Sequence, residues 1–167
     1  MTGWIMESSL SKAQRKRLQK EWREKLSEYD FTHFITLASN HQPLNYPSMR
    51  ALLKQWDARV NREINGPKWA ARPDERLVWF AFPEKLDFNP HWHLVVQVDP
   101  RIETQGRAER TSRLAKIGER QWLKLVPQGS FECKDVASQG VIRYTTKCSD
   151  REELFEKFII YREFMTV

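Results

Sequence analysis

The chain is poor in cysteine, with only Cys133 and Cys148 among 167 residues. Two cysteines without CxxC spacing are too few for a disulfide framework, and they read as free thiols of a reducing compartment. No apolar stretch approaches membrane-spanning length, and the N-terminus lacks the apolar core of a signal peptide. The expectation is therefore a soluble, cytoplasmic protein that is not secreted and has no membrane partner. There is no internal repeat, low-complexity tract or domain linker, and no GxxxxGK[ST] phosphate loop. What is present in quantity is positive charge and aromatic mass. Lys and Arg number 28 against 22 Asp and Glu, for a net charge of +6, beside seven Trp and nine Phe. The length suits one well-filled core, and the charge is consistent with a polyanionic partner such as nucleic acid.

Hydrophobic periodicity organises the chain. Ser9 to Asp30 is a charged segment with Leu10, Leu18, Trp22 and Leu26 near helical spacing, and Ser9 or Ser11 is placed to cap it. Residues 1–30 thus read as a basic N-terminal helix packed on, or extending, a domain at 31–167. Thr32 to Leu37 reads as a strand, Ser48 to Ile64 as an amphipathic helix stopped by Gly66-Pro67, and Arg76 to Phe82 and His91 to Val98 as two more strands. A basic helix follows from about Arg107 to Leu125, then a strand from Ser130 to Val136. A helix across Tyr144 and a charged helix from Asp150 to Phe164 complete the expected order. The short loop between the second and third strands makes them antiparallel. The pattern predicts an α+β fold, a central antiparallel sheet flanked by helices.

Chemistry concentrates in His91-Trp92-His93. Residues i and i+2 of a strand share a face, so both imidazoles project together while Trp92 turns to the core. A histidine in a strand is commonly a satisfied core or surface residue, but two on one face form half of a metal site. Glu84, at the end of the preceding strand, and Asp87, in the connecting loop, are the candidates for a third ligand. Glu84 is favoured because a strand end is better held than a loop. Two imidazoles and a carboxylate with open positions suit Mn²⁺ or Mg²⁺ in phosphoryl transfer; zinc is the alternative, though no cysteine lies near the motif. Downstream, Tyr144 and Lys147 stand at i and i+3, which on a helix puts them on one face. A helical tyrosine is ordinarily a packing residue, but a lysine beside it would stabilise a phenolate or a neighbouring phosphate. Tyr29 and Tyr161, in expected helices, and Tyr46, in an expected loop before Pro47, have no such lysine.

Phe34-Ile35-Thr36-Leu37, Pro90-His91-Trp92-His93 and Tyr144-Thr145-Thr146-Lys147, in that order, resemble the three motifs of the HUH endonucleases. These are the rolling-circle replication initiators, relaxases and single-strand transposases. The Tyr-x-x-Lys spacing resembles the single-tyrosine initiators. The resemblance spans residues 31 to 147 and implies a divalent metal held by His91, His93 and Glu84. It also implies attack by Tyr144 on single-stranded DNA at an origin or hairpin, with Lys147 on the phosphate. A 5′-phosphotyrosyl link and a free 3′-hydroxyl would result. Thr36 and Asn40 would be DNA contacts at most, the first motif being mainly architectural. The lone tyrosine departs from members that use a pair, and without a helicase domain in this chain either a host helicase and polymerase would be partners or the chain is a fragment of a larger protein. The competing expectations are a relaxase or transposase of the same superfamily, a catalytically inactive DNA-binding relative, and a zinc-dependent hydrolase indifferent to Tyr144.

Overall fold

A computed structural model describes residues 10–40, 44–98, 104–136, 140, 142–143 and 157–165, with the side chains of the third helix described from Arg113 onward. The elements are α1 (Lys12–Ser27), β1 (His33–Ala38), α2 (Tyr46–Asn65), β2 (Val78–Glu84), β3 (His91–Gln97), α3 (Thr104–Leu125), β4 (Ser130–Asp135) and β5 (Ile159–Ile160). Short 3₁₀ turns lie at Trp69–Ala71, Pro73–Glu75 and Tyr161–Phe164. The five strands form one sheet in the order β4-β1-β3-β2-β5, and every pairing is antiparallel. The expected α+β class, an antiparallel sheet flanked by helices, is the one observed. No helix among the described residues is long and apolar enough to cross a membrane.

Local chemistry explains the helix boundaries. Ser11 starts α1 through a capping box, its Oγ accepting from Gln14 N at 3.2 Å while Gln14 Oε1 accepts from Ser11 N at 2.8 Å. Asn45 caps α2, accepting from Ser48 N at 2.9 Å, with Pro47 in the first turn. Gly66 ends it at φ 88°, a conformation that favours glycine. Tyr46 is thus the first residue of α2, where the sequence suggested a loop; the Asn45 cap takes the helix back past Pro47.

Alternation splits the sheet into two faces. Ile35, Leu37, Trp79, Ala81, Trp92, Leu94 and Val96 point to the side covered by α2 and α3 and join Trp56, Val60, Leu114 and Trp122 in the main core. Four fully buried indoles each find an acceptor, as a buried N–H requires. Trp56 donates to the Gly118 carbonyl, Trp92 to Met49, Trp122 to Ala38, and Trp79 to the Asp57 carboxylate at 2.7 Å. Gly118 lets β4 dock, since a Cβ there would stand 2.8 Å from the Phe131 ring. The core also encloses an ion pair, Arg76 to Asp57 at 2.5 Å. Burial pushes the Asp57 carboxyl up, against the pull of Arg76, Trp79 and Asn61.

On the other face, Phe80, Phe82 and Val95 form a smaller cluster with Leu26, Phe31 and Ile142, to which α1 adds Trp22. The expected closing helix from Asp150 to Phe164 is not what its described part forms. Ile159–Ile160 pairs with β2 as a strand, and Tyr161 lies in a 3₁₀ turn. The physical reason is that Ile159 packs into the main core and Ile160 against the smaller cluster, an alternation that only extended backbone provides. Gly140, Ile142 and Arg143 are helical, while Tyr144 and Lys147 lie outside the described residues.

Candidate metal centre

The β2–β3 hairpin builds the site. Its register sets Glu84 opposite His91 and Phe82 opposite His93, so the carboxylate and both imidazoles share the face away from α2 and α3. His91 Nε2 lies 2.9 Å from Glu84 Oε2, His93 Nε2 lies 2.5 Å from the same oxygen, and the two nitrogens are 3.2 Å apart. One ligand atom from each of the three residues falls within 4.8 Å of the others, so the group could hold a metal ion. Adjacent positions of an octahedron with bonds of about 2.1 Å lie about 3.0 Å apart, close to the spread of these contacts. Asp87, the other candidate, is exposed in the turn and does not belong to the group.

Neighbouring groups fix the rings. His91 Nδ1 is 2.9 Å from the Asn89 carbonyl, and His93 Nδ1 is 3.1 Å from Thr36 Oγ1, across the β1–β3 register. With Nδ1 of His91 donating to a carbonyl, its Nε2 lone pair is left for a ligand. The ring of Phe34 stacks on His93 with centroids 5.3 Å apart. Thr36 and Asn89 were not read from the sequence as supports of the histidines. Asn40, in the loop that leaves β1, is exposed and takes a hydrogen bond from Ser130. Trp92 turns to the main core as expected.

The electrostatics favour a bound cation. Burial alone would raise the Glu84 carboxyl, but its contacts with the ring nitrogens of His93 and His91 outweigh it and hold the pKa below its ordinary value. Burial lowers His93, against the opposing hydrogen bond of Glu84, so the ring favours the neutral form that binds metals. Both histidines are buried, whereas the Glu84 side chain is 30% exposed, which leaves the carboxylate side open for further ligands. Lys85 follows at φ 51°, a left-handed turn that ends β2 at the carboxylate. Phe88, in the same turn, is 64% exposed, with the Lys85 ammonium 5.9 Å from its ring centre.

Comparison of the chain with family models, with curated proteins and with solved structures gave no match. The functional reading therefore rests on the site.

Proposed function

We propose that the chain nicks and rejoins single-stranded DNA through a covalent tyrosine intermediate, in the manner of a single-tyrosine HUH endonuclease initiating rolling-circle replication. The observation that carries this reading is the Glu84, His91 and His93 triangle at the end of a middle strand, on the face of an antiparallel sheet away from α2 and α3. Three further features support it. Ile142, two residues before Tyr144, is buried in the cluster that contains Phe82, the cross-strand neighbour of His93. Exposed Phe88 and half-buried Phe34 offer ring faces on which unpaired bases can stack. The net charge of +6 suits a polyanion.

A divalent ion, Mn²⁺ or Mg²⁺, would polarise the scissile phosphate when bound. Glu84, His91 and His93 would hold it, with Thr36 and the Asn89 carbonyl keeping the imidazoles turned inward. The Tyr144 oxygen attacks phosphorus, forming the O–P bond as the P–O3′ bond breaks. The phenolic proton passes to solvent and the departing 3′-oxygen takes one up. Lys147 neutralises charge on the phosphate, and attack by a 3′-hydroxyl on the phosphotyrosine reverses the step and rejoins the strand. The direct test is incubation with Mn²⁺ and a library of single-stranded oligonucleotides, read on a denaturing gel and by mass spectrometry. A nucleotide adduct on Tyr144, lost in Tyr144→Phe while DNA binding persists, is the expected result; cleavage unaffected by that substitution rules the reading out.

Two histidines and a carboxylate are also the donor set of non-haem iron(II) oxygenases. Oxygen consumption dependent on Fe²⁺, without any DNA adduct, would favour that second reading.

A further inference from the structure

The helical layer on the opposite side of the sheet carries a concentration of charge that the metal centre does not use. On α3, Arg113, Lys116, Arg120 and Lys124 recur at i, i+3, i+7 and i+11, one stripe of a helix, and all four are exposed. From first to last they span about 16 Å at 1.5 Å per residue. On α2, Lys54, Arg59 and Arg62 are exposed on the outward side. Against these seven cations the described outer surfaces of the two helices set only Glu63 and Glu119. The helix α1 is built differently, for its Glu21, Glu24 and Glu28 pair with Arg17, Lys20 and Lys25.

The stripe borders a concavity of about 400 Å³ lined by Glu63, Arg113, Lys116, Ile117 and Arg120. Glu63 organises it. The carboxylate holds Arg120 at 2.5 and 2.7 Å, and the Glu63 carbonyl accepts from Arg113 at 3.4 Å. Two guanidinium groups are thereby anchored across the α2–α3 seam, while Lys116 and Lys124 extend the positive edge. The geometry points to a second nucleic-acid contact here: the α2–α3 seam binds the phosphate backbone of duplex DNA flanking the single strand that reaches the metal centre. The identity of the anion rests on the DNA-processing reading above; the charge pattern does not.

Duplex is favoured over unpaired strand because the surface has no exposed aromatic ring among the described residues, and unpaired bases need one to stack on. It is favoured over a lipid surface because Leu123, 36% exposed, is the single large apolar side chain the described part of this layer offers, too little to insert.

Two variants of opposite sign test this by fluorescence anisotropy on a labelled random-sequence duplex, its unpaired strand, and phosphatidylserine vesicles. Arg113→Gln/Lys116→Gln/Lys124→Gln, all exposed positions, should weaken duplex binding at least about 10-fold at moderate salt and lower the log–log salt slope by about 3. Glu63→Gln should tighten it. Metal-dependent adduct formation on unpaired strand should not move in either. Duplex affinity indifferent to both variants overturns the inference, as does wild-type binding confined to vesicles. The two readings fail separately: an adduct with a duplex affinity the triple variant leaves unchanged removes only this one, whereas charge-dependent duplex binding without any adduct removes only the nicking assignment.

Discussion

The two faces of the sheet are made by the same strands yet do opposite work. On β3, Trp92, Leu94 and Val96 point into an apolar layer sealed by α2 and α3, and His91 and His93 point out of it. The sealed face neutralises its buried charge, the Asp57 carboxylate accepting from Arg76, Asn61 and Trp79, although Arg76 Nε itself has no hydrogen-bond partner among the described residues. The other face gathers a carboxylate and two imidazoles whose nitrogens crowd within 3.2 Å of each other. One face holds the larger apolar core, and the other combines a smaller apolar cluster with the three candidate ligands. The period of two lets one strand supply both without compromise.

Substitutions at the metal group and in the main core should report on different properties. The largest effect is expected from His93→Ala, with a fall of about 10³-fold or more in metal-dependent cleavage. Its metal-free thermal midpoint should stay near that of the parent, and a large drop in that midpoint would break the comparison. Asp57→Ala sits next. Stranding Arg76 in the core should cost about 3–5 kcal/mol in denaturant unfolding. At temperatures where this variant is still folded, its metal affinity, read by calorimetry, should match the parent. Thr36→Val keeps the shape and removes the Nδ1 partner of His93, so metal affinity should fall about 10-fold with little change in stability.

The smallest effect concerns pH. Burial lowers His33 and His93, and the histidine contacts hold Glu84 low. A group with a depressed folded pKa binds fewer protons folded than unfolded. Stability should therefore decline as pH falls below about 6.5, where the histidines protonate more readily unfolded than folded. Divalent metal should be released in the same direction, since protons compete for the same atoms. Urea titrations at neutral and mildly acidic pH, with and without Mn²⁺, would show it. Stability rising on acidification would contradict the burial of these rings.

The sequence made the metal group legible because its geometry is local. Spacing of two puts His91 and His93 together, and a short hairpin brings Glu84 across. Thr36 was not legible as the partner of His93, since that contact depends on the register between β1 and β3, fifty-seven positions apart in the chain. The Asp57–Arg76 pair escaped for the same reason: a helical aspartate reads as solvated until the bend before β2, which carries Arg76, is in place. β5 escaped because two residues carry no period. Ile159 and Ile160 become a strand only by borrowing the free edge of β2.

The position of β3 between β1 and β2 carries one last consequence, for the time scale on which an ion would come and go. Both histidines sit on a strand paired on both sides from His91 to Val96, so their backbone opens only when the sheet itself comes apart. Glu84 ends a strand whose far edge is paired, among the described residues, only at Phe80 and Ala81, and the chain turns away at Lys85. The site thus has two permanent members and one that can leave by fraying of a single hairpin end. Ion exchange should keep pace with that fraying, and protection of the Lys85 and Leu86 amides would rise on loading while that of Val95 stayed the same.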